Sequence, residues 1–249
     1  MIDQRIHPAS WQLPLGWQSE LDAQQRASRH QAWSARMYPY LKRAFDFTAA
    51  LILLILLVPL FAVIALAVRL DSPGPVIFIQ RRVGYRGRVF NFYKFRSMTN
   101  GQDHSQTHRQ FAEAYIKGQG ADHLADEQGR AIYKPASNGH TVTRVGRWLR
   151  RTSLDELPQL VNILKGDMSF VGPRPAMDYE VAFFSERHRL RLAAMPGLTG
   201  WAQINGRSSI SFDQIVSYDI EYIADRSLSR DLRILAATIP VVLGAENAK

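Results

Sequence analysis

A chain of 249 residues is long enough for one sizeable domain with an appendage. It contains no cysteine, which excludes disulfides, zinc–thiolate sites and a cysteine nucleophile. Its 31 Lys and Arg against 22 Asp and Glu give a net charge of +9, which points to an anionic partner: nucleic acid, a membrane surface or a phosphorylated substrate.

Residues 1–40 form a polar N-terminal extension with Trp11, Trp17 and Trp33 as anchors, and a helix over Gln18–Ala35 fits the pattern. The start lacks the basic-then-apolar order of a secretory signal, so the chain is expected to stay on the cytoplasmic side of any membrane it meets. Phe47–Val68 is uncharged over 22 residues, long enough to cross a hydrocarbon core of ~30 Å. Pro59 interrupts it past the midpoint, and both flanks are basic: Lys42 and Arg43 before, Arg69, Arg81 and Arg82 after. A single crossing cannot leave both basic ends in the cytoplasm, whereas a re-entrant hairpin can. Proline does occur in spanning helices, so these residues leave both topologies open. A buried soluble helix fits poorly, because the run is apolar all round. We take 41–71 as this membrane segment and 72–249 as a cytoplasmic domain.

Asp71–Pro75 (DSPGP) breaks the helix, and Val76–Val83 and Val89–Met98 read as two strands joined by a Gly84–Gly87 turn. They carry Arg81, Arg82, Arg86, Arg88, Lys94 and Arg96, either a solvated edge or a basic sheet facing headgroups and phosphates. Residues 99–140 are loop-like, with a short helix over Arg109–Lys117; His104 and His108 lack an evident third metal ligand. After Thr141–Leu149 comes RRTSLDELPQLVNILKGDMSFVGPRP, residues 150–175. Its apolar positions predict a helix ending at Lys165-Gly166, capped at its start by Ser153 in a capping box or by Asp155; either choice puts Asp155 and Glu156 in the opening turn. Ala176–Met195 reads as a charge-rich helix, Leu198–Arg207 as a compact strand and turn, and Phe212–Ala224 as a helix. Asp231–Leu243 is apolar but too short to span, and would lie in the interface or cap the core.

Acidic residues are common in first helical turns, so the carboxylate pair alone proves nothing. Together with phosphate-gripping arginines and a membrane segment it suggests phosphoryl chemistry. A carboxylate can carry a covalent phosphoryl group, and such transfers need chiefly positioning and charge neutralisation by Mg²⁺ and arginine. An ionised aspartate needs no histidine base. Three other readings compete. One is a membrane-surface glycosyltransferase releasing UDP, with Asp219-Ile-Glu221 as an acidic metal motif that also fits a solvated face. The others are a basic nucleic-acid-binding protein and a non-catalytic scaffold. The basic residues flank an apolar 22-mer, which fits headgroups better than a duplex and argues against nucleic acid.

The sequence resembles the bacterial monotopic phosphoglycosyl transferases, which start capsule, O-antigen and exopolysaccharide synthesis. The matching segments are KRAFDF (42–47), DSPGPVIFIQRRVGYRG (71–87), FYKFRSM (92–98), 150–175, PGLTGWAQINGR (196–207) and SLSRDLRILAATI (227–239). The resemblance implies an α-rich α/β monotopic membrane protein: a re-entrant hairpin broken near Pro59, plus a cytoplasmic domain with a small sheet and interfacial amphipathic helices. It implies that Asp155 attacks the β-phosphate of a UDP-sugar, releases UMP and passes the sugar phosphate to undecaprenyl phosphate. Asp155 and Glu156 would be the catalytic pair and the Mg²⁺ ligands. Arg150, Arg174, Lys94 and Arg96 would contact phosphate. Asp167 and Pro173 fit turn-forming roles as well as direct contact. The expected setting is the bacterial inner membrane, among membrane lipids. A homodimer is compatible with the sequence and not required by it.

Overall fold

The computed structural model describes residues 32–99, 105–118, 142–206 and 210–243. The apolar segment forms two helices, α1 (Ala32–Leu56) and α2 (Val58–Asp71), which meet at Leu57 with a bend of 63°. Pro59 lies in the first turn of α2, where its missing N–H forfeits no helical bond. No single helix among the described residues is long and apolar enough to cross a membrane, although the bent pair together has the length and hydropathy. Its outer face is bare and apolar: Ile55, Leu56, Val58, Val63 and Leu66 are 61–68 % exposed. A contiguous apolar surface of that kind marks an interaction site.

Both ends of the pair are bonded to the rest of the protein. Near its start, Lys42 Nζ meets Asp231 at 2.6 Å, and Arg43 donates to the carbonyls of Ile163 and Leu164 at 2.7 and 2.8 Å. Near its end, Arg96 donates to the carbonyls of Val68 and Ser72 at 3.2 and 2.6 Å, and the Val145 N–H donates to Asp71 at 2.9 Å. Lys42 and Arg43 thus anchor the start of the helix pair to the helices Leu228–Leu243 and Gln159–Lys165.

The basic hairpin forms as expected. Strands β1 (Ile77–Val83) and β2 (Val89–Phe95) pair antiparallel, from Ile77 opposite Phe95 to Val83 opposite Val89, across a tight turn at Tyr85–Gly87. Next come α3 (Ser105–Ile116), α4 (Arg144–Arg151) and α5 (Gln159–Lys165), then β3 (Ser169–Val171) and β4 (Ala176–Met177). β4 adds to the free edge of β1, giving a three-stranded sheet ordered β2-β1-β4. After α6 (Glu186–Arg189), β5 (Gly197–Thr199) pairs parallel with β3. Helices α7 (Trp201–Asn205), α8 (Phe212–Ala224) and α9 (Leu228–Leu243) complete a helix-rich fold. Leu160, Ile163, Val171, Tyr222 and Ile234 form its main core. α9 contributes Ile234 while leaving Leu232 and Ile239 exposed, so it caps the core on one face only.

Three expectations change. The single helix over 176–195 is β4, two 3₁₀ turns (Glu180–Phe183 and Leu190–Ala193) and the short α6. Glu180 accepts from the Met177 N–H at 2.7 Å, and Ser185 starts a new helix through a capping box with His188. These local bonds divide the run. Over 198–207, the turn after β5 is the helix α7, and Arg207 lies outside the described residues. Neither predicted cap of the central helix forms: the carboxylates occupy a separate 3₁₀ turn, Leu154–Glu156, and Pro158 is the N-cap residue of α5. The Gly166 stop is as read, with φ 85°. The helix expected over 18–35, apart from the residues α1 takes in, lies outside what is described, as do His104 and the side chain of His108, whose backbone belongs to α3.

β3 and β5 touch through Gly172 and Gly197, where an added Cβ on Gly172 would collide with the Met195 carbonyl. Gly172→Ala is therefore expected to cost about 1–3 kcal/mol, read as a lowered unfolding midpoint in detergent.

Candidate active site

The turn that carries the carboxylates is set up by an unusual residue. Ser153, just after α4, adopts a left-handed conformation (φ 56°), which an L side chain accepts only at a cost. The chain reverses there and buries Asp155, which is 8 % exposed. Glu156 lies beside it. Arg174, from the loop after β3, donates to Glu156 Oε1 at 2.7 Å, and Lys94 Nζ, from β2, lies 3.9 Å from the same oxygen. Asn162 of α5 keeps β2 in place by accepting from the Tyr93 N–H and donating to the Asn91 carbonyl. A buried side chain thereby substitutes for a neighbouring strand.

The two adjacent carboxylates are driven apart electrostatically. Burial, then the charge of Glu156, pushes Asp155 up to about 6 against the pull of Lys94, Arg150 and Arg174. Burial would raise Glu156 as well, but the charges of Arg174 and Lys94 and the Arg174 hydrogen bond hold it down to about 2. Burial lowers Lys94 to about 8, with Glu156 opposing. At neutral pH this gives a secure anion at Glu156 and a poorly stabilised one at Asp155. For an activity that needs Asp155 ionised and Lys94 charged, kcat/KM is expected to fall as pH drops through about 6 and again as it rises through about 8. Lys94→Arg should remove the alkaline limb and leave the acid limb in place.

Of the residues predicted to contact phosphate, the structure brings Lys94 and Arg174 to Glu156. Arg150 is exposed at the end of α4, and its charge reaches Asp155. Arg96 bonds instead to the end of α2, through the Val68 carbonyl and the carbonyl and hydroxyl of Ser72. Among the described residues no group of three acidic or histidine side chains converges on one point. Two adjacent carboxylates suit Mg²⁺ when substrate phosphates and water complete its shell, which is its usual mode.

Two buried arginines that no sequence motif singles out also serve the site. Arg82 donates to the Pro175 carbonyl at 2.9 Å, and Arg191 donates to the Arg174 carbonyl at 3.2 Å. They grip the main chain of the loop on which the Arg174 guanidinium is mounted. Arg191 is paired with Asp219 at 2.9 Å, both almost wholly buried. Asp219 is therefore neither a solvated residue nor a free metal ligand, and Glu221 bonds outward to Arg230 and Trp201. Arg191→Ala would strand a buried carboxylate, with an expected loss of about 3–5 kcal/mol in chemical unfolding.

Residues 37–245 match the sequence model of the family described as bacterial sugar transferase. The chain is 40 % identical over 226 residues to an undecaprenyl-phosphate glucose phosphotransferase of Komagataeibacter xylinus, covering 83 % of this chain and 36 % of that protein. It is 39 % identical to the galactosyl transferase CpsE of Streptococcus agalactiae, covering 87 % of this chain and 46 % of that protein. It is also 40 % identical to the uncharacterised sugar transferase EpsL of Bacillus subtilis, covering 83 % of this chain and 89 % of that one. The chain thus spans between a third and a half of the length of the first two relatives.

Proposed function

The chain belongs to the bacterial sugar transferase family, and on that premise we propose that it moves a sugar-1-phosphate from a UDP-sugar to undecaprenyl phosphate. The observation that carries the mechanism is the split between the adjacent carboxylates. Neighbouring acids pushed apart in this way take different roles. Glu156, ionised and paired, is a fixed charge that organises Lys94 and Arg174. Asp155, an anion that burial disfavours, is the nucleophile.

An Asp155 carboxylate oxygen bonds to the sugar-bearing phosphorus of the donor. The bond from that phosphorus to the bridging oxygen breaks, and UMP leaves with the electron pair. A phosphate oxygen of undecaprenyl phosphate then attacks the same phosphorus, the bond to Asp155 breaks, and the carboxylate is restored. Arg174 and Lys94 hold the donor's phosphates and offset their charge. Mg²⁺, bound by Asp155 and Glu156 together with donor phosphates, would supply further charge neutralisation. Several relatives carry names for transfer to undecaprenyl phosphate, which supports this choice of acceptor.

The membrane reading rests on the helix pair. Its outer face is apolar, and both of its ends are hydrogen-bonded to the domain that carries the carboxylates. A re-entrant hairpin leaves both ends on one side; a spanning helix separates them. The catalytic domain then faces the cytoplasm from the inner membrane, and the product opens exopolysaccharide, capsule or O-antigen assembly. The test is the nucleotide released by purified protein with Mg²⁺, undecaprenyl phosphate and a panel of UDP-sugars. UMP supports direct phosphosugar transfer, and UDP contradicts it.

A further inference from the structure

Between α2 and α4 lies a groove of about 340 Å³. Its walls include Val63, Ile64 and Ala67 from α2 and Trp148 and Leu149 from α4, with Arg144 at the rim. Val63 is 64 % exposed and Trp148 is 52 % exposed, so the groove opens on the same side as the bare apolar face of the helix pair. A tryptophan at such a site suits the boundary between hydrocarbon and water.

The groove also leads toward the chemistry. Ile64 and Leu149 belong to one buried apolar cluster with Val68 and Phe95, and Leu154 and Leu157 pack against it. Those two leucines immediately flank Asp155 and Glu156 in sequence. At the same end of α4, Arg150 and Arg151 are exposed and basic. An apolar trough whose Ile64 and Leu149 walls pack in one cluster with the leucines flanking the carboxylates, on a helix that ends in Arg150 and Arg151, fits a hydrocarbon chain carrying a phosphate. We propose that this groove holds the tail of the acceptor lipid nearest its phosphate, so that the chain runs between α2 and α4 while the phosphate meets Asp155. The proposal rests on the transfer reading above and adds to it the place where the acceptor is recognised.

The experiment compares kcat/KM for undecaprenyl phosphate with that for methyl phosphate, which has no chain to fill the groove, in one detergent and with one donor. Wild-type protein should favour the long chain. Val63→Trp, at a position exposed enough to take the bulk without disturbing the core, should lower the ratio of the two by about tenfold or more, since apolar pockets discriminate steeply against lost contact. Leu66→Trp puts the same bulk on an exposed position of α2 outside the groove, and should keep the wild-type ratio. An unchanged ratio in Val63→Trp would overturn the proposal and show that the groove meets only bulk lipid. An equal loss in Leu66→Trp would overturn it too. Wild-type protein that releases no UMP with either acceptor would remove the transfer reading itself, whereas activity without chain preference would remove the groove alone.

Discussion

Asp155→Asn is expected to abolish UMP release, with a loss of about a thousandfold or more, because an amide cannot form the phosphoryl bond. The fold should survive. Asp155 has its acid form favoured by burial and by Glu156. A carboxyl whose pKa is raised in the folded state weakens folding at pH values above its ordinary range, so a neutral amide removes a destabilising charge. The variant should therefore unfold at the same temperature as wild type or higher. Loss of activity at undiminished stability separates chemistry from structure; a variant with near-normal turnover would remove Asp155 from the role of nucleophile.

Arg174→Ala ranks second, with an expected loss of about a hundred- to a thousandfold in kcat/KM, the scale for removing one preorganised group that faces developing charge. It should also move the acid limb of the pH profile. Arg174 lowers both carboxylates, so its removal raises Asp155 further and shifts the limb toward higher pH. Arg174→Lys should restore only part of the rate, because an ammonium cannot reproduce the planar fork of the guanidinium. A purely structural arginine would leave the pH limb where it is.

The helix break, the hairpin with its turn, the Gly166 stop and the helix over 212–224 were legible because each is encoded by adjacent residues: Pro59, the Gly84–Gly87 turn, the left-handed glycine and a capped amphipathic run. The local geometry of the carboxylate turn was not. Ser153 with Glu156 three residues later has the pattern of a capping box, but Ser153 uses its left-handed backbone to reverse the chain instead. Buried charge was harder still. Arg82 looked like one of six basic residues on a hairpin, and only the return of β4 to the edge of β1 encloses it. Arg191 and Asp219 sit 28 positions apart in segments that read as charge-rich helix faces. Their pairing depends on how those segments pack, and a period in the sequence does not report it.

The covalent intermediate is tested most directly by the intact mass of the protein after incubation with Mg²⁺ and a UDP-sugar but no acceptor. A gain equal to one sugar phosphate, located on Asp155, absent from Asp155→Asn and discharged on adding undecaprenyl phosphate, is the expected result. Nucleotide release under turnover conditions with no adduct at any time, or an adduct that persists in Asp155→Asn, would contradict it.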